Sequence, residues 1–221
     1  MGSLNDSKPR LGILDYGMGN LRSVHRAFLE VGADAKIVEH THEMEGMDAL
    51  VFPGQGAIVD TMRLLKEREW IDFLKQWIQD DKPFFGICLG LQALFDFSEE
   101  GDTPGLGILP GKVQRFDFAL DSGLKIPHMG WNDVEFAENN GDLLHGIRPQ
   151  GDQFYFVHSY FVVPDDPDCI WGKTRYGDVE FCSAVRKGNL LATQFHPEKS
   201  QSKGLALYRN FVETLKNVLR Q

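Results

Sequence analysis

In the first half of the chain, short apolar segments alternate with stretches whose apolar residues recur three and four apart. Leu11-Gly12-Ile13-Leu14, Ala35-Lys36-Ile37-Val38 and Ala49-Leu50-Val51-Phe52 read as strands, and Pro83-Phe84-Phe85 opens another. Leu21, Val24, Phe28 and Val31 form the stripe of an amphipathic helix that Gly32 ends. Residues 58–79 read as helical, with Trp70, Phe73, Leu74 and Trp77 on one side. Strand and helix in alternation imply an open, mostly parallel, doubly wound α/β sheet of the flavodoxin-like kind, covered on both faces.

The texture changes after Gly101. Residues 113–118, 134–136, 154–163, 169–174, 179–185 and 190–195 read as strands with few helices between them, which predicts an added antiparallel portion. Tyr208, Phe211, Val212, Leu215 and Leu219 mark the buried stripe of a closing helix. The length of 221 residues suits one domain, expected over 10–221 behind a loose extension at 1–9. A net charge of −9 argues against a nucleic-acid or anionic-membrane surface as the main business. No apolar run approaches the length of a membrane span. Three cysteines, Cys88, Cys169 and Cys182, lack any C-x-x-C pair, so neither a disulfide frame nor a zinc site is indicated. The expected location is the reducing cytoplasm, with no metal and no cofactor.

Gly86-Ile87-Cys88-Leu89-Gly90 follows the Pro83 strand and precedes Leu91-Gln92-Ala93-Leu94-Phe95, the expected start of a helix. Strand, tight turn and helix with cysteine at the turn is the geometry of a nucleophile elbow, sulfur taking the seat of a serine. A thiol at a helix N-terminus feels the positive end of the dipole, which favours thiolate. Downstream, His196-Pro197-Glu198 supplies a base and an orienter: in extended chain, residues two apart share a face. A carboxylate beside an imidazole fixes its tautomer and stabilises its protonated form. Alone, the pentapeptide also fits a buried thiol in a tight turn, and H-x-E a satisfied surface pair; together they point to cysteine, histidine and glutamate as catalytic groups. Pro53-Gly54-Gln55-Gly56 ends the third strand, and ligands of open α/β sheets bind outside the carboxyl ends of strands. Backbone N–H groups of Gln55 and Leu89 are therefore candidates for an oxyanion hole, with Gly54 and Gly56 permitting close approach.

These residues carry a resemblance. G-I-C-L-G-L-Q and Q-F-H-P-E-K resemble the class I triad glutamine amidotransferases. Asp15-Tyr16-Gly17-Met18-Gly19-Asn20-Leu21, Pro127-His128-Met129-Gly130-Trp131-Asn132 and Phe156-Val157-His158-Ser159-Tyr160 are similar to runs in the glutaminase subunits of imidazole glycerol phosphate synthase. The resemblance extends from Leu11 to the C-terminus. It implies that Cys88 attacks a glutamine carboxamide, that His196 serves as acid and base and that Glu198 orients it. It assigns substrate binding to Gly54, Gly56, Gln92, Ser159 and Tyr160, and a partner-facing mouth to Asn20, Tyr155 and Lys199. It also implies a separate (β/α)8-barrel cyclase subunit as partner in a heterodimer, receiving ammonia for histidine biosynthesis. The rival readings are a glutaminase serving a different synthase, a free-standing cysteine hydrolase, and a non-catalytic subunit on the same fold.

Other residues carry plainer expectations. His25 reads as a partly exposed helical residue, His145 as surface, and His40 and His42 as loop residues without ligand spacing. Cys169 and Cys182 read as packing residues, and the acidic clusters at Glu99-Glu100 and Asp165-Asp166 as solvated loops. His128 and Trp131 receive no role from sequence physics.

Overall fold

The computed structural model describes residues 8–119, 123–137 and 141–219. Its first half runs β1 (Arg10–Leu14), α1 (Leu21–Glu30), β2 (Asp34–Val38), β3 (Ala49–Gly54), α2 (Ile58–Glu67), α3 (Trp70–Gln79), β4 (Phe84–Cys88) and a one-turn α4 (Leu89–Gln92). The second half adds β5 (Phe95–Ser98), β6 (Thr103–Pro104), β7 (Leu109–Arg115), β8 (His128–Phe136), β9 (Asp152–His158), β10 (Tyr160–Pro164), β11 (Ile170–Tyr176), β12 (Val179–Lys187) and β13 (Leu190–Thr193). The closing helix is α5 (Gln201–Leu219).

The sheet runs β2-β1-β3-β4-β13-β12-β10-β7-β5-β6, with β11, β8 and β9 branching from β12. Its first five strands are parallel, and the β13–β12–β10–β7 steps are antiparallel. The expected doubly wound fold with an antiparallel portion is therefore present. Each parallel strand distributes its side chains to two layers by simple alternation. Val51, Phe85 and Ile87 join Val24 and Phe28 of α1 and Tyr208, Phe211 and Val212 of α5 on one face. Leu50, Phe52 and Phe84 join Ile58, Leu65, Trp70, Leu74 and Trp77 of α2 and α3 on the other. That is why β3 and β4 read as unbroken apolar runs: both of their faces are covered.

Three expectations are corrected. The 58–79 helix is two helices, because Glu69 takes a left-handed φ of 60° and redirects the chain while the apolar stripe continues across the break. The 154–163 strand is two strands joined at Ser159. Of the acidic residues, Glu99 and Asp165 are exposed, but Glu100 is half-buried and accepts the Ile58 N–H at the start of α2 at 2.9 Å; Glu99 also accepts the Arg115 N–H at 2.9 Å, and Asp166 accepts the Asp168 N–H at 3.0 Å. Of the extension, residues 1–7 lie outside the described residues, yet Pro9 is already buried and its carbonyl accepts the Asp34 N–H at 2.8 Å. The side chain of Leu219 also lies outside the described residues. The remaining expectations keep their places: Cys169 and Cys182 are buried free thiols, and His145 is exposed. His25, half-buried on α1, sets its Nε2 2.9 Å from the Ala35 carbonyl.

Candidate active site

Parallel pairing of β3 and β4 sets Gly54 opposite Cys88, so the two strand ends and the loops that follow them are neighbours. On the other side of β4, β13 pairs in parallel with Thr193 opposite Ile87, which carries the chain on to Gln194, Phe195 and His196 beside the sulfur. Three strand ends thus deliver the proposed nucleophile, the loop at Gln55 and the histidine to one place. Cys88 sits between β4 and α4 at φ 55° and ψ −104°, backbone that side chains avoid. The turn is this tight because the backbones nearly touch: a Cβ on Gly90 would collide with the Phe52 carbonyl oxygen, and one on Gly54 would lie 2.5 Å from Leu89 Cβ. Because α4 is one turn long, the long helix dipole expected behind Cys88 is absent. What remains is local: the first N–H groups of α4, Leu89 among them, have no acceptor within the helix.

His196 and Glu198 are brought together by a device other than the expected strand. β13 ends at Thr193, and Pro197–Lys199 forms a 3-10 turn that folds Glu198 back under the ring. His196 Nδ1 lies 2.9 Å from Glu198 Oε1, both side chains being 2% exposed. Tyr208 donates to the second carboxylate oxygen at 3.4 Å, and burial pushes its phenol well above the usual range. The backbone of His196 is clamped to β9: its N–H donates to the Tyr155 carbonyl at 2.9 Å, while Ser200 donates to its carbonyl at 2.7 Å and accepts the Tyr155 N–H at 3.0 Å. Burial alone would lower the His196 imidazole. The Cys88 sulfur and Glu198 outweigh it and hold the ring up at about 10. His196 Nε2 is buried with no hydrogen bond of its own among the described residues, which leaves it free to act on a bound molecule.

A cavity of about 410 Å³ opens over these groups, lined by Gln55, Gly56, Cys88, Leu89, Gln92, Ser159, Tyr160, His196 and Lys199 among the expected residues. Glu198 lies behind His196, and Gly54 packs against Leu89 beneath the floor. Tyr155 stands beside the mouth, its ring 5.8 Å from Lys199 Nζ and 6.1 Å from the Trp131 ring. Asn20, at the start of α1, is not among the lining residues. Gln55 comes near the Tyr16 hydroxyl without a well-formed bond to it, and burial pushes that phenol up to about 12. The lining also includes Glu100, Pro127, Val157 and His158, which sequence reasoning left without a role. His158 and Pro127 stood inside quoted motifs, but their convergence depends on the β8–β9 pairing that sets His128 opposite His158. Gln194, also inside a quoted motif, reaches the sulfur itself. His40 and His42 stack on each other at 5.5 Å, and no cluster of metal-binding side chains occurs among the described residues.

The arrangement sets a cysteine sulfur, an imidazole nitrogen open to the same space and backbone N–H groups at a strand-to-helix turn side by side, which suits acyl transfer through a thioester. The sequence matches the family described as Glutamine amidotransferase class-I over residues 12–215. It is 46% identical to the imidazole glycerol phosphate synthase subunit HisH of Thermosynechococcus vestitus, covering 96% of this chain and 100% of that one. It is 48% identical to the protein of the same name from Rhodopirellula baltica, over 90% of this chain and 95% of that one. Two solved structures share the fold: one described as a glutamine amidotransferase (TM-score 0.71, 24% identity, 93% and 98% coverage) and PurLQS from Thermotoga maritima (TM-score 0.73, 18% identity, 96% and 100% coverage).

Proposed function

Because the chain belongs to the class I glutamine amidotransferases, we propose that Cys88, His196 and Glu198 are the triad with which it hydrolyses glutamine to glutamate and ammonia. The observation that carries this reading is the convergence of the Cys88 sulfur and His196, with its buried carboxylate partner, at the floor of a substrate-sized cavity.

The placement of these groups sets the order of events. The Cys88 sulfur attacks the carboxamide carbon, and the developing oxyanion takes hydrogen bonds from the Gln55 and Leu89 N–H groups. His196 already carries the proton that the leaving amine needs, so collapse to the γ-glutamyl thioester releases ammonia and a neutral imidazole. The imidazole then takes a proton from water, the hydroxide attacks the thioester, and glutamate leaves as the thiolate–imidazolium pair is restored. Glu198 keeps the ring in the tautomer that presents Nε2. Gly54, Gly56, Gln92, Ser159 and Tyr160 shape the space for the glutamine.

The ammonia serves histidine biosynthesis, the pathway of the synthase whose subunits this chain resembles. Free ammonia in bulk water is mostly protonated and lost as a nucleophile, so a (β/α)8-barrel cyclase seated over the cavity is the fitting recipient, making imidazole glycerol phosphate and AICAR in a heterodimer. Its docking is supported by Met129 and Trp131, large apolar side chains 64% and 44% exposed on β8, beside Tyr155 and Lys199 at the mouth. Asn20 is assigned to the same rim. We place the reaction in the cytoplasm, where free thiols persist; among the described residues, no helix is long and apolar enough to cross a membrane.

The test is Cys88→Ala in the complex with the cyclase. Glutamine hydrolysis should vanish while synthase turnover on added ammonium salts continues. Retained glutamine hydrolysis by the purified variant would sink the assignment.

A further inference from the structure

The Cys88 sulfur is approached by a hydrogen-bond donor that the triad does not explain. Gln194 Nε2 lies 3.5 Å from Cys88 Sγ, both residues buried. That this atom is nitrogen follows from its neighbours. The Tyr160 carbonyl can only accept, so the Gln92 atom 3.0 Å from it is Nε2. The same nitrogen lies 2.9 Å from Gln194, which must answer with Oε1. Gln194 is left with its amide nitrogen to turn toward the sulfur.

A second chain of bonds reaches the same carbonyl from the other side. His158 Nδ1 is 2.7 Å from the Tyr160 oxygen and therefore carries a proton. Asn132 Nδ2 donates to the Arg175 carbonyl at 2.9 Å and reaches His128 Nε2 at 3.2 Å, so that ring nitrogen accepts. His128 Nδ1 then donates to His158 Nε2 at 3.0 Å. Each ring has room for one proton, since a second would set two N–H groups face to face. Burial acts in the same direction, pushing His128 down to about 4 and His158 to about 3. The Tyr160 carbonyl is thus held by two donors whose polarity is fixed from both ends.

We propose that Gln194 is a positioning residue for the nucleophile: its amide N–H, aimed by Gln92 and the Tyr160 carbonyl, holds the Cys88 sulfur as an anion at the attacking angle. The inference rests on the reading of Cys88 as the nucleophile. A donor to a charged acceptor is about twice as strong as one between neutral groups, so this bond favours thiolate over thiol. The other charged or titratable groups around the sulfur are His196 with Glu198 behind it, Tyr16 beneath, and Glu100, His158, Tyr160 and Lys199 lining the cavity. Of these, His196 supplies the countercharge, and Gln194 fixes the sulfur without adding charge.

Two variants of the full chain test this. Gln194→Met keeps length and removes the donor. Gln92→Glu keeps Gln194 but places carboxylate oxygens where its Oε1 was received, so the Gln194 amide turns and offers oxygen to the sulfur. In both, alkylation of Cys88 by iodoacetamide at neutral pH, followed by mass spectrometry, should slow roughly 10- to 100-fold. For Gln194→Met in the cyclase complex, kcat for glutamine should fall by a similar factor while KM moves less than about threefold. Thermal melts establish that each variant is folded, and if one is not, the other decides. Alkylation at the wild-type rate in a folded variant overturns the proposal, as does a rise in KM without a fall in kcat. The nucleophile reading fails differently: wild-type protein alkylated at Cys88 would still hydrolyse glutamine.

Discussion

Cys88 occupies backbone that only glycine adopts without strain, at φ 55° and ψ −104°, and replacing it should separate that strain from the chemistry. A side chain held in such a region costs about 1–3 kcal/mol, which the surrounding structure must outweigh. Cys88→Ala keeps the Cβ and hence the strain, and Cys88→Gly releases it. Against this, glycine costs roughly 0.5–1 kcal/mol of extra unfolded-chain entropy. The net expectation is that Cys88→Gly is more stable than Cys88→Ala by about 0.5–2 kcal/mol. For a chain of 221 residues, that is a melting temperature higher by about 1–8 °C. Calorimetry on both purified variants measures it, with glutaminase assays alongside, both expected to be inactive. A Cys88→Gly melt at or below that of Cys88→Ala would refute the reasoning, because the elbow would then hold no strain that a side chain creates.

Glu198→Gln should impair turnover less than His196→Ala in the same complex, since one loses an orienter and the other the acid and base; steady-state kinetics showing an equal or reversed ranking would mean the roles are misassigned. His196 is held up at about 10 against an ordinary 6.5, so its proton stabilises the fold fully below about pH 6.5 and that contribution is lost as pH rises through about 10. Urea midpoints at these two pH values should therefore fall further for wild type than for His196→Ala, and parallel losses would count against the pairing. Gly90→Ala should cost about 2–4 kcal/mol, because its Cβ meets the Phe52 carbonyl; an unchanged denaturation midpoint would show that the turn has slack. Glutamate production by the chain alone should be slow and should rise steeply, mainly in kcat, when the barrel subunit and its nucleotide ligand are added, the control point being the Gly54–Gly56 segment. Full activity of the isolated chain would revive the free-standing hydrolase.

The parallel half of the fold was legible because it is written in local periodicities: the stripe at Leu21, Val24 and Phe28 is one helix in sequence and in space. The break at Glu69 was not legible, since no glycine or proline marks it and Trp70 continues the stripe of Leu65. Cys88, His196 and Glu198 were legible as residue types in motifs, but the expected strand geometry for the last two was wrong. The proline between them starts a 3-10 turn, and the turn sets the contact. His128 and His158 are a different case. Their partnership is a cross-strand pairing over thirty residues of separation, and nothing local in either motif announces a partner. Glu100 likewise discloses its role only where α2 begins, far away in the chain.

β13 is the last strand to be made, yet it lies in the interior of the sheet between β4 and β12. On the ribosome, β4 therefore emerges long before its second neighbour and waits with one edge unpaired, a vulnerable state for a strand so apolar. The residues that follow β13 bring His196 and Glu198 with them. Insertion of that strand thus completes the sheet and equips the sulfur in a single event. If His196 and Glu198 serve the sulfur as proposed, a fragment truncated before β13 should be silent toward glutamine, and a nascent chain should gain activity only once that strand and the residues behind it have joined the sheet.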